Sequence, residues 1–147
     1  MRPLALLAAL VALGCTAPGP ASVDTRNDAC SWCRMAVSDA RFAAQLVVPG
    51  DDPRFFDDIG CLADYLRAKR DLPKGSLAYV ADHRTKAWVE AGAAAYTRVD
   101  GLDTPMSSHL VAHADAASRD ADSVAHGGVR LSSADVFGPP GLPRRTP

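Results

Sequence analysis

Hydrophobic and polar positions along this chain alternate in short blocks, and each block predicts a small element. Residues 4–13 form an unbroken apolar run. Residues 16–27, with Pro18, Gly19 and Pro20, are polar and turn-forming, and they predict a flexible tether. Residues 42–48 read as a mostly buried strand ended by Pro49-Gly50, and residues 51–54 as a charged loop. Asp58 then stands as an N-cap before Ile59, Leu62, Ala63 and Leu66, whose spacing puts them on one helical face. That helix must stop before Pro73, where Lys74-Gly75 make a turn.

The second half repeats the pattern loosely. Residues 77–81 and 87–90 read as strands joined by the polar turn Asp82-His83-Arg84-Thr85. Residues 93–99 predict a further strand, although their alanines suit a helix equally. Thr104-Pro105 forces an extended entry to Met106. Residues 110–112 continue as a strand, residues 115–124 suit a short helix ending at Gly127-Gly128, and residues 129–131 form a last strand. The proline-rich residues 138–147 predict a disordered tail. Strands interspersed with helices indicate an α+β domain over residues 30–137, made of two small similar lobes, roughly 30–73 and 74–137.

The leading apolar run is about ten residues long, half of what a bilayer span requires. With Arg2 before it and Leu13-Gly14-Cys15 after it, the run resembles a bacterial lipoprotein signal. Residues 1–14 are then the signal, Cys15 is acylated as the mature N-terminus, and residues 15–29 tether the domain to a membrane. A plain secretory signal is the alternative, and either reading exports the protein to face the periplasm.

Charge narrows the partners. Sixteen Lys and Arg against seventeen Asp and Glu leave a formal net charge of −1. No basic patch stands out, which argues against nucleic acid. If Cys15 carries lipid, Cys30, Cys33 and Cys61 remain, an odd number that a simple disulfide framework would not leave.

The candidate chemistry is sulfur chemistry. Cys30, Cys33 and Met35 fall within six residues, and thiolates with a thioether select Cu(I), because polarizable donors suit a polarizable cation. Structural zinc would want a second cysteine pair of similar spacing, which the chain lacks. A thioredoxin-type site would follow a buried strand and open a helix, whereas this pair follows a polar tether. If residues 33–35 are extended, Cys33 and Met35 share a face. Met106, in a polar stretch, is the candidate for a distant ligand, and His109 three residues on can add an imidazole. Cys61 reads as either a third thiol ligand or, by preference, an inert half-buried cysteine. His83 reads as a solvated turn residue, and His113 and His126 carry no pattern. The acidic residues Asp51, Asp52, Asp57 and Asp58 are explained by helix capping and the macrodipole. No Ser–His–acid pattern or phosphate loop suggests an enzyme.

Taken in order, Cys30-x-x-Cys33-x-Met35, Phe56-Asp57-Asp58-Ile59-Gly60, Tyr79-Val80-x-Asp82, Trp88-Val89, Ala94-x-Tyr96, Thr104-Pro105-Met106 and Gly127-Gly128 resemble the NosL family, the accessory lipoproteins of nitrous oxide reductase. The resemblance implies a lipid-anchored periplasmic Cu(I) chaperone of two small α+β lobes. It places ligands at Cys30 or Cys33 and at Met106, with apo nitrous oxide reductase or another periplasmic copper protein as client. Two positions depart from the family pattern: Arg34 replaces a usual glycine, and Ser107-Ser108-His109 replaces glycine-rich sequence. The alternative from the residues alone is a thiol–disulfide protein using Cys30 and Cys33.

Overall fold

A computed structural model describes residues 19–69, 71–139 and 141–143. The leader and Cys15 lie outside the described residues. Strand β1 (Ala44–Val47) is buried at all four positions and so lies at the centre of a sheet. It pairs antiparallel with β2 (Arg54–Phe56) on one side and β3 (Leu77–Ala81) on the other, and β4 (Trp88–Glu90) completes the order β2-β1-β3-β4. Helix α1 (Ile59–Ala68) leaves β2 directly. A second antiparallel sheet has the order β6-β5-β7, from β5 (Ala95–Arg98), β6 (Leu110–His113) and β7 (Val129–Leu131). Helix α2 (Ala116–Asp120), a 3-10 turn (Ser123–Ala125) and α3 (Ser133–Phe137) fill the rest. The architecture is α+β, as the sequence predicts.

The two sheets share one core. Phe56, Ile59 and Leu62 from the first half pack in the same buried cluster as Val80, Tyr96, Ala112 and Phe137 from the second. A parallel bridge between Asp82 and Ala112 joins the end of β3 to β6, reinforced by the His83 N–H donating to the Ala112 carbonyl at 2.8 Å. The first sheet takes β3 and β4 from beyond Pro73, so the sheets divide the chain near Gly92 rather than at Pro73.

Local departures have local causes. Arg54, expected in a loop, begins the edge strand β2 because Phe56 has to pair with Ala44 to enter the core. The alanine-rich segment resolves as strand β5, with Tyr96 fully buried and its hydroxyl donating to the Ala91 carbonyl at 2.7 Å. The helix expected over residues 115–124 breaks in two, since the Asp122 side chain accepts the Val124 N–H and caps a separate turn. Helix α3 was not predicted, although Ser132 and Asp135 form a reciprocal capping box. Leu142, in the tail expected to be disordered, packs against the main core.

Candidate metal centre

The segment carrying the first two cysteines folds back on itself. Ala29 bridges Ala36, the Cys30 N–H donates to the Met35 carbonyl at 2.8 Å, and the Arg34 N–H donates to the Cys30 carbonyl at 3.1 Å. The Ser31 N–H reaches the Phe55 carbonyl at 2.8 Å and ties this loop to β2. To close so tightly, Arg34 adopts φ +70°, a left-handed conformation that costs a non-glycine residue about 1–2 kcal/mol. The segment is therefore not extended, and Cys33 and Met35 part. Cys30 is fully buried, Cys33 half-buried, and Met35 is 57% exposed.

Two more groups arrive from α1. Asp58 is the N-cap, with Oδ1 accepting the Gly60 N–H at 2.6 Å, as its position before the apolar face predicts. Cys61 follows in the first turn and is buried, not half-buried, because α1 buries Ile59, Cys61, Leu62, Ala63 and Leu66 together, a wider face than a surface helix. Its thiol hydrogen-bonds Cys30. Asp57, one residue before the cap, is 1% exposed and has Oδ2 3.4 Å from the Cys33 sulfur. One donor atom each from Cys30, Cys33, Cys61 and Asp57 lies within 4.8 Å of the others. No disulfide joins the three thiols. The spacing of the chain gave no warning of Asp57, since capping accounted for the acidic pair. Its place directly after a strand that pairs beside the cysteine loop was the available signal.

The thiols are electrostatically unequal. Cys30 is pulled down to about 6, chiefly because Cys61 donates to its sulfur, with burial opposing and backbone N–H groups of Asp57 and Cys33 assisting. Burial pushes Cys33 up to about 11, helped by the neighbouring Cys30. Cys61 is raised strongly, first because its proton is held against Cys30. Of the three thiols, Cys30 is the one whose surroundings favour the thiolate.

Of the remaining expected ligands, Met106 and His109 lie on a loop tied to the start of α1. Asp58 Oδ2 accepts the Thr104 hydroxyl at 2.8 Å and the Met106 N–H at 3.0 Å, which pins the Thr104-Pro105-Met106 loop to the start of α1. Ser107 and His109 in that loop hold φ +55° and +59°. Gly60 has no room for a side chain, since a Cβ there would lie 2.9 Å from Ser108 Cβ. Met106 is 43% exposed and lines, with Cys61 and Trp32, a cavity of about 290 Å³. His109 places Nδ1 2.7 Å from the Leu102 carbonyl.

The structure places the other three histidines as follows. His83, expected in solvent, is buried, because Asp82 closes its turn by accepting the Arg84 and Thr85 N–H groups and lets the ring turn inward against Phe42. His113, without a pattern in the sequence, is fully buried beside it. His126 is exposed, its Nε2 3.1 Å from the Asp120 carbonyl.

Among the described residues, no helix is long and apolar enough to cross a membrane. A family model described as NosL matches residues 20–138, which include every strand and helix above and the whole cysteine cluster. No curated protein matches the chain.

Proposed function

The chain belongs to the NosL family, one of copper-binding accessory proteins, and on that premise we propose that it is a periplasmic, lipid-anchored carrier of Cu(I). Its cargo serves the maturation of nitrous oxide reductase or of another periplasmic copper protein. The observation that carries this reading is the convergence of Cys30, Cys33, Cys61 and Asp57. Three sulfurs in one small space suit Cu(I), which accepts two or three soft ligands.

The Cys30 thiolate is ready to take the ion, and the Cys61 and Cys33 protons leave as further sulfurs bind. The buried Asp57 carboxylate favours the incoming positive charge. Met106 borders the same cavity as Cys61 and stands exposed, as does Met35 beside the loop. Those thioethers, with His109, supply exchangeable ligands at the mouth, where a client's own ligands take over. A lipid on Cys15 keeps the carrier at the membrane, and the 15–29 segment gives it reach.

The thiol–disulfide alternative fits less well. An attacking thiol must be both ionised and reachable. Here the thiol whose pKa is lowered, Cys30, is 0% exposed, while burial raises that of the more accessible Cys33.

The test is transfer. Copper-loaded protein mixed with apo nitrous oxide reductase should lose its Cu(I) and raise the copper content of the reductase. A Cys30→Ser/Cys33→Ser double variant should do neither. Equal transfer by the double variant, or useful turnover of a test disulfide by the wild-type protein, contradicts the carrier reading.

A further inference from the structure

A second cluster shares no residue with the cysteine site and has no part in its chemistry. His83 follows β3, His113 ends β6, and Asp122 precedes the 3-10 turn. All three are buried, at 6%, 0% and 7% exposure. His83 Nδ1 lies 2.6 Å and His113 Nε2 3.0 Å from the same carboxylate oxygen, Asp122 Oδ2. The three donor atoms fall within 4.8 Å of one another.

Three features distinguish this trio from an ordinary buried hydrogen-bond network. First, it is costly to bury: two imidazoles and a carboxylate leave water together, and His113 Nδ1, the ring nitrogen away from Asp122, finds no hydrogen-bond partner. Second, its geometry is that of ligands around a point. Zinc bonds of about 2.0–2.1 Å place tetrahedral donors about 3.3 Å apart, so an ion needs the carboxylate oxygen to draw back by about 0.7 Å from His83 and about 0.3 Å from His113. His83 sits in a turn, where that movement is available. Third, Asp122 and His83, though not the far nitrogen of His113, are held from behind. The free oxygen, Asp122 Oδ1, accepts the Val124 N–H at 3.0 Å, and the His83 backbone is held by the Ala112 carbonyl.

We propose that His83, His113 and Asp122 form a second metal site, for a divalent ion of the zinc class, with a fourth position open to water. Two imidazoles and a carboxylate are borderline donors and lack the soft sulfur that selects Cu(I) at the cysteine cluster. The site therefore accepts a different ion from the cysteine cluster, and it joins β3, β6 and the segment after α2. Loading it staples together the parts of the fold that the Asp82–Ala112 bridge already connects.

The test uses Zn²⁺ on the full mature chain in two forms. A Cys30→Ser/Cys33→Ser/Cys61→Ser variant should bind one equivalent and melt at a higher temperature with it. Adding His83→Gln should weaken that binding at least a hundredfold. On the reduced wild-type protein, the ring ¹⁵N resonances should report ligation at His83 Nδ1 and His113 Nε2, with His126 unmoved. That reading needs no substitution, so it decides the matter even if the serine variant does not fold. Unshifted His83 and His113 nitrogens in the presence of excess Zn²⁺, or undiminished binding with His83→Gln, overturn the proposal.

Discussion

The Cys33 sulfur lies 3.4 Å from Oδ2 of Asp57, a carboxylate almost wholly removed from water. Without a cation, this arrangement places a buried acid among three thiols, one of them with a lowered pKa. That is an unfavourable place for negative charge and a favourable one for Cu(I). Asp57→Asn should therefore separate stability from binding. The metal-free variant should melt no lower than the wild-type protein. Its Cu(I) affinity should fall roughly ten- to hundredfold, as for loss of a group supporting metal ligands. Calorimetric melting and a chelator competition check the two halves.

The Cys61 hydrogen bond is the first cause of the low Cys30 pKa, so removing it has a defined signature. Thiolate absorbance of the reduced, metal-free protein should show a first step near pH 6. Cys61→Ala should move that step up toward the ordinary thiol value of 9.0. Stability follows with a fixed sign. A thiol whose pKa is depressed on folding contributes stability above its unfolded value, and this is lost as pH falls through about 6. Cys33 works in reverse, its contribution being lost as pH rises toward about 11. Urea melts of wild type and Cys61→Ala between pH 9 and pH 6 should diverge, with the variant the flatter.

Asp58 joins helix α1 to the Met106 loop through three hydrogen bonds. Asp58→Ala removes a helix cap and leaves the Thr104 hydroxyl and Met106 N–H without their partner. The loss should be about 3 kcal/mol. Amide exchange should quicken across residues 104–109 before the rest of the domain. Uniform exchange throughout would show that the loop is held by other contacts.

Arg34 holds φ +70° at a position where the family pattern has glycine. Arg34→Gly should relieve that strain and stabilise the fold by about 0.5–1 kcal/mol after the entropy lost on fixing a glycine. A urea melt measures it. A destabilised variant would mean that the arginine side chain holds the loop.

The legible parts of this sequence were those with one dominant signal. Asp58 and the Ile59, Leu62, Ala63, Leu66 face announced α1, and unbroken apolar runs announced β1 and β3. Strand β2 was hidden because a three-residue edge strand carries Arg54 and shows no alternation. Of the metal centre, the Cys30 and Cys33 pair was readable. Cys61 lies deeper than the half-buried position expected of it, because α1 buries Cys61 together with Ile59, Leu62, Ala63 and Leu66. Asp57 was obscured by its neighbour, since one capping carboxylate seemed explanation enough for both. His83 and His113 are thirty residues apart in the chain and meet only because β3 ends beside β6, a relationship of topology that local pattern does not encode.

Whether the cysteine cluster holds Cu(I) is decided by X-ray absorption on the copper-loaded protein. The expected first shell is two or three sulfurs, reduced by one when Cys61 is replaced by serine. A first shell of nitrogen and oxygen, or a sulfur shell unchanged by loss of Cys30, Cys33 and Cys61 together, would contradict it.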